Sequence, residues 1–158
     1  MTEKIELLKR YIPKALLEPM TEEARGAVPM QQLRDGRIVI DHFPFRVGRE
    51  SRAKKVDGGW QRMERQKKDD SQPNNDLYLL DKGRLLNISR EHFQIEESGG
   101  DFVVVDRGSV CGTRVGEIPV YGEARVLADG DLILVGTKST PYVYRFIVLN
   151  GFTIVEEK

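Results

Sequence analysis

The sequence predicts an all-β chain: an antiparallel β-sandwich preceded by a short N-terminal helical arm. Three observations predict it. From about Gln32 onward, short runs rich in β-branched and aromatic residues recur along the chain. Glycine-containing turns at Gly99-Gly100, Gly122-Glu123 and Asp129-Gly130-Asp131 punctuate those runs. No helical crossover pattern lies between them, as a parallel α/β sheet would require.

The arm covers residues 1–30. Ile5, Leu8 and Ile12 recur at helical spacing, Thr2 is placed to cap, and Glu3 and Glu6 sit in the first turn where the helix dipole favours acids. Pro13 and Pro19 limit this helix to short pieces. A second capped turn is expected at Thr21-Glu22-Glu23, closed by Gly26 and Pro29. Residues 31–150 form the sandwich, with strands expected at Arg37–Asp41, Phe43–Val47, Leu77–Leu80, His92–Glu96, Asp101–Val105, Arg125–Leu127, Leu132–Val135 and Tyr142–Leu149. Residues 50–75 interrupt the ladder with Lys54-Lys55, Gly58-Gly59, Lys67-Lys68-Asp69-Asp70 and Ser71-Gln72-Pro73-Asn74-Asn75. This stretch is too polar to offset its ordering entropy and is read as a mobile insertion. Residues 151–158 make a C-terminal edge strand or tail, with Phe152 to Val155 as its apolar run.

The 158 residues suffice for one full core, and 39% apolar against 32% charged residues suggests a core diluted by solvated segments. Lys and Arg number 25, as do Asp and Glu, so no overall field draws the chain to nucleic acid or an anionic membrane. A single cysteine, Cys111, excludes an internal disulfide and a multi-cysteine metal site, and a cytoplasmic protein without metal or cofactor is expected. The charged residues scattered through the first 17 positions break up any apolar stretch of signal-peptide type, and no run approaches the roughly 20 apolar residues of a membrane span. The expectation is a soluble, unprocessed chain with no membrane partner.

Four segments carry the chemistry: Phe45-Arg46-Val47-Gly48-Arg49; Asn87-Ile88-Ser89-Arg90-Glu91-His92-Phe93-Gln94-Ile95; Val105-Asp106-Arg107-Gly108-Ser109 with Gly112-Thr113; and Val126 to Gly136. Together, in this order, they resemble a forkhead-associated domain over roughly Gln32 to Leu149. The resemblance implies a β-sandwich whose loops at one end bind phosphothreonine peptides, without catalysis. It assigns phosphate contacts to Arg49 and Ser89. It makes His92 a brace of the binding loops and places Asn87 where the family often reads the peptide beyond the phosphothreonine. The chemistry agrees: Arg49 supplies a charge-assisted contact to a dianion, Ser89 a rotatable hydroxyl donor, and Arg90 a second cation. Gly48 is expected to serve backbone freedom, and Gly112 and Thr113 to keep the turn. Ser89 and His92 could be drawn as a hydrolytic pair, but no nucleophile elbow or third member accompanies them.

The family normally carries asparagine before its Gly-Thr pair, where the amide holds the peptide backbone; this chain has Cys111, preceded by Val110. A thiol cannot reproduce two-sided amide hydrogen bonding, and such a loss costs about 1–3 kcal/mol. Two readings follow: a phosphothreonine reader with altered peptide contacts, or a scaffold of the same fold that binds without phosphate. The thiol near Arg49 also invites a redox role, against which stands the lack of a resolving cysteine. A third class, nucleic-acid binding, rests on Arg52, Lys54, Lys55, Arg62, Arg65, Lys67 and Lys68 around Trp60. The neighbouring Asp69-Asp70 and the balanced charge weigh against it. The sequence leaves the oligomeric state open.

Overall fold

The computed structural model describes residues 2–50, 53–56, 58–62 and 74–149. Helix α1 (Thr2–Tyr11) precedes strand β1 (Ala15–Pro19), helix α2 (Glu22–Gly26) and a 3-10 turn at Met30–Gln32. Then follow β2 (Leu33–Arg34), β3 (Arg37–Ile40), β4 (Phe45–Arg49), β5 (Ala53–Val56), β6 (Gly59–Arg62), β7 (Leu77–Leu79), β8 (Phe93–Ser98) and β9 (Asp101–Asp106). The chain continues with β10 (Thr113–Val115), β11 (Ile118–Val120), β12 (Arg125–Leu127), β13 (Leu132–Val135) and β14 (Val143–Val148).

Two sheets face each other. The larger runs β11-β10-β13-β14-β1-β3-β2 and the smaller β12-β9-β8-β4-β7, while β5 and β6 pair as a separate hairpin. Pairing is antiparallel throughout except where β7 lies parallel to β4, with Val47 opposite Leu77 and Arg49 opposite Leu79. Period-2 alternation sends one face of each strand inward. Leu17, Ile38, Ile40, Ile133, Val135, Tyr144 and Phe146 line one side of the core; Phe45, Val47, Leu77, Leu79, Phe93, Ile95, Phe102 and Val104 line the other. Phe102 and Phe146 meet across the sheets, ring centroids 5.5 Å apart at 66°, a favourable edge contact.

The predicted strands of the sandwich are present within a residue or two at their ends. The arm differs from expectation. Ala15–Pro19, assigned by its prolines to broken helix, is β1, an interior strand hydrogen-bonded to β14 on one side and β3 on the other. The reason is periodicity of two: Ala15, Leu17 and Pro19 are buried while Leu16 and Glu18 face out, and Pro19 ends the strand, where its missing N–H costs little. The capped turn does form, Thr21 Oγ1 accepting from the Ala24 N–H at 2.9 Å, and α2 is held by the Tyr144 hydroxyl donating to the Ala24 carbonyl at 2.8 Å. Short β2, β10 and β11 also escaped the sequence, being too brief to show alternation.

The expected insertion is not featureless. Residues 53–56 and 59–62 form the β5–β6 hairpin, and Asn74 and Asn75 are ordered, Asn75 being buried. Residues 51–52, 57 and 63–73, including Arg65 and Lys67-Lys68-Asp69-Asp70, lie outside the described residues, as does the expected C-terminal strand of residues 151–158. No helix among the described residues is long and apolar enough to cross a membrane.

If β1 is an interior strand, Leu17→Ala leaves a cavity between the sheets and lowers unfolding stability by about 2–5 kcal/mol, read as a reduced urea midpoint at unchanged slope. A change within about 0.5 kcal/mol, as at an exposed site, would show that residues 15–19 do not pack there.

Candidate functional site

At one end of the sandwich the last residues of β4 and the loops 80–92 and 106–113 converge. The Arg49 N–H donates to the Ser89 carbonyl at 2.8 Å, and the His92 N–H to the Val47 carbonyl at 3.0 Å, so the 89–92 turn is stitched onto β4. Arg49 and Ser89, forty residues apart in sequence, are thus joined through their main chains.

His92 is fully buried and joins the two loops. Its Nδ1 accepts from the Ser89 N–H at 2.9 Å, which puts the ring proton on Nε2, and Nε2–H donates to the Gly112 carbonyl at 2.7 Å. Both ring nitrogens are consumed by main chain, so this histidine braces the site and is not placed to act as a base toward Ser89. Burial pushes its pKa below the ordinary 6.5, with the Gly112 bond opposing. A neutral imidazole is what the geometry needs, since a cationic ring could not accept from Ser89.

The Ser89 Oγ accepts the Val110 N–H at 2.9 Å. A hydroxyl that accepts can still donate its own proton to another group. Loop 106–113 is shaped by Asp106. Its carboxylate accepts from the Gly108 and Ser109 N–H groups, each at 3.0 Å, from the Ser109 hydroxyl, and from Thr113 Oγ1 at 2.7 Å. Burial alone would raise the Asp106 pKa; the donations from Ser109, Thr113 and Gly108 outweigh it and hold the carboxyl below its usual range. Gly112, at φ +89°, takes a conformation that a side chain would strain, so the turn calls for glycine there.

Gly48 does not serve backbone freedom, contrary to expectation, because its φ is not in the left-handed region. It serves close approach: a Cβ there would lie 2.0 Å from the Arg90 carbonyl oxygen and 2.6 Å from Asn75 Nδ2. The same Asn75 Nδ2 donates to the Arg90 carbonyl at 2.7 Å, and Asn75 Oδ1 accepts from Arg107 Nη1 at 2.5 Å. The Arg90 main chain is therefore clamped against β4 while its side chain is exposed.

A second carboxylate, buried Asp81, shapes the approach to Ser89. Asp81 Oδ2 accepts from the Asn87 and Ile88 N–H groups at 2.7 and 3.0 Å, and Oδ1 from the Gly83 N–H at 3.0 Å and the Tyr142 hydroxyl at 2.9 Å. Burial, reinforced by Asp81, pushes the Tyr142 phenol up to about 12. Asn87 turns its amide oxygen to the Thr137 N–H and hydroxyl, 3.2 and 3.1 Å away, so that oxygen is spent within the domain. Cys111 is half buried, its thiol directed at the Leu86 carbonyl 3.3 Å away, and Val110 stands in solvent, 92% exposed.

The structure thus joins Arg49, Ser89 and Val110 through direct hydrogen bonds, with His92 bracing Ser89 against Gly112, and places Asn87, Arg90 and Cys111 on the same loops. Sequence reasoning missed Asn75, Asp81, Arg107 and Tyr142. Asp106 had a local signal, an aspartate three residues before a serine in a glycine turn. Asp81 and Asn75 had none, since their partners are set by tertiary contacts. Among the described residues no group of His, Cys, Asp and Glu could hold a metal ion.

Two outcomes test this construction. Gly48→Ala must push the Arg90 carbonyl away, lowering stability by about 1–3 kcal/mol and shifting the Ser89 and Arg90 amide resonances; a silent substitution would show the approach to be looser. The chain's two histidines contribute to pH dependence with opposite sign. His92, whose pKa folding lowers, contributes stability that is present above about 6.5 and lost as pH falls from there through the lowered folded value. Half-exposed His42, raised by hydrogen bonds to Asp41 and Asp76, contributes a smaller stability below 6.5 that is lost as pH rises. His42→Gln should therefore steepen the loss of urea stability on acidification; a curve parallel to the unsubstituted protein would refute the assignment.

Comparison with known proteins agrees with this geometry. The model of the family described as FHA domain matches residues 45–136, more than half of the chain. The glycogen accumulation regulator GarA of Mycolicibacterium smegmatis is 37% identical over 79 residues, 50% of this chain and 42% of that protein. The oxoglutarate dehydrogenase inhibitor of Corynebacterium jeikeium is 34% identical over 79 residues, 50% of this chain and 46% of that protein. The chain spans less than half the length of these curated relatives through the matched segment. Among solved structures, the N-terminal FHA domain of S. cerevisiae Rad53p, in complex with a phosphothreonine peptide, shares the fold at a TM-score of 0.54 and 16% identity, covering 87% of this chain and 94% of that one. The FHA domain of an Arabidopsis thaliana protein does so at a TM-score of 0.52 and 22% identity, covering 90% and 92%. By the match of the family model, the order of its motifs and the loops they build, this chain belongs to the FHA-domain family.

Proposed function

We propose that this chain is a non-catalytic binding module that takes phosphothreonine-containing segments of partner proteins at the Arg49–Ser89 surface. The observation that carries this reading is the main-chain bond between Arg49 and Ser89, braced from below by buried His92. It brings the main chains of an arginine and a serine to one place, from which a guanidinium and a hydroxyl can make a directed anion contact. Exposed Arg90, Lys82 and Arg84 on the same loops add cationic character without an acid between Lys82 and Arg90 to cancel it.

The reading excludes hydrolysis because both nitrogens of His92 are engaged by main chain, leaving Ser89 without a base. The Rad53p relative is a phosphothreonine-peptide complex, which supports the ligand class for this fold. A phosphate-independent scaffold is favoured by one observation: Val110 and Cys111 present no polar side-chain group equivalent to an amide at the loop that would grip the peptide backbone.

Calorimetric titration with matched phosphothreonine, phosphoserine and unmodified peptides from a captured partner separates these readings. The phosphothreonine form should bind, the unmodified form should not, and Arg49→Ala should cost about 2 kcal/mol or more, some thirtyfold in affinity. Affinity retained by Arg49→Ala would remove Arg49 from the site. Equal binding of all three peptides would establish the scaffold instead.

A further inference from the structure

The outward face of the larger sheet is apolar and positively charged at once. Directly opposed residues of neighbouring strands share a face and stand side by side, so the register fixes which side chains meet there. Arg34 of β2 lies opposite Arg37 of β3, Glu18 of β1 opposite Arg145 of β14, and Arg145 opposite Leu132 of β13. Glu18 joins the two flanking arginines, accepting from Arg37 Nε at 2.8 Å and from Arg145 Nη2 at 2.7 Å. Two residues along the strands, Val39, Leu16 and Ile147 form an apolar row, Leu16 being opposite both of the others. Arg114 of β10, opposite Leu134, adds a further cation. The side chains of Arg37 and Arg145 are each 41% exposed and Leu132 is 37% exposed, so the face is open to solvent. Arg34, Arg37, Arg114 and Arg145 thus stand with a single carboxylate, Glu18, in a chain whose charges balance overall.

We propose that this face docks a short segment of a partner protein that carries carboxylates beside aliphatic side chains. Charge complementarity sets the sign: each guanidinium has five N–H donors, and the one carboxylate between Arg37 and Arg145 cannot absorb them all. Composition sets the class. The cations are arginines, which protein interfaces favour over lysine, and they border an aliphatic row with no aromatic residue among them for base stacking. Size sets the extent. From β2 to β13 and out to Arg114 the patch measures about 20 Å by about 14 Å, well short of the roughly 800 Å² that a stable dimer buries per partner. A second copy would also bring like charges together, which disfavours it. None of these residues belongs to the Arg49–Ser89 end, so the inference stands apart from the phosphothreonine reading and gives the domain a contact that needs no phosphate.

The test follows the amide resonances of the full chain as a short synthetic peptide of glutamate, leucine and alanine is added. Two counterparts carry lysine in place of glutamate or alanine in place of leucine. The acidic apolar peptide should shift resonances of β1, β3 and β14, and added salt should weaken its binding. The lysine counterpart should not bind, and the leucine-free one should bind more weakly. Arg34→Gln and Arg145→Gln, checked for folding by urea titration, should each weaken the acidic peptide about fivefold and leave the affinity for a phosphothreonine peptide unchanged. Arg34 is exposed, so its variant decides the matter even if loss of the Glu18 pair unfolds the other. Silence of β1, β3 and β14, equal shifts with the lysine counterpart, or shifts confined to Arg49, Ser89 and Arg90 would overturn the proposal. Tighter binding of single-stranded oligothymidylate, or of phosphatidylserine vesicles, at the same resonances would assign the face to nucleic acid or membrane and reject it. Self-association lost in Arg34→Gln would assign the face to a second copy and reject it likewise. Loss of phosphothreonine binding with the acidic peptide still bound would sink the earlier reading and leave this one standing.

Discussion

One buried imidazole holds the binding end together. His92 accepts from the Ser89 N–H and donates to the Gly112 carbonyl, so loops twenty residues apart share a single rigid ring as their spacer. Each loop is tied to a strand or its end by main-chain bonds, Ser89 to Arg49 and Gly112 to Gly136, and the ring satisfies further main-chain groups whose burial without a partner would be costly. The ring must stay neutral to do this, and burial makes it so. Phe93, at the start of the strand that follows, packs edge-on to the ring at 6.3 Å between centroids.

Around this spacer the structure uses carboxylates and an amide to do with side chains what sheets do with main chain. Asp81 and Asp106 each gather several donors from their own loops, and Asn75 clamps the Arg90 carbonyl onto Gly48 while accepting from Arg107. The polar atoms of the loops are thereby satisfied internally. What remains exposed on these loops includes the Arg90 side chain and the apolar Val110, Leu85 and Leu86. The division follows the physics of burial, since groups that could be paired were paired and the surface is left to the ligand.

The legibility of the fold followed local apolar patterning, and even three-residue β7 and β12 lie in runs readable from the sequence. Strands of four or more residues with clear alternation, such as β3, β9, β13 and β14, could be seen in the sequence because period-2 patterning needs several residues to show. The short β10 and β11 could not. β1 is hidden for another reason: locally Pro13 and Pro19 signal only the ends of helices, whereas β1 is a strand because its partners, β3 and β14, are supplied by distant sequence. Asn74 and Asn75 were hidden likewise in a polar stretch, their order depending on Arg90, Arg107 and the Tyr78 hydroxyl.

By itself the sequence determined the strand-rich class, the family and the identities of Arg49, Ser89 and His92, because residue type, alternation and motif order are local properties. Tertiary structure alone decided what those residues do to one another. That Gly48 is required by the approach of a carbonyl, that Asn87 spends its amide oxygen on Thr137, and that Asp81 and Asn75 shape the loops are consequences of contacts between residues far apart in the chain. Such contacts leave no periodicity to read, since a hydrogen bond between distant residues constrains geometry and not spacing.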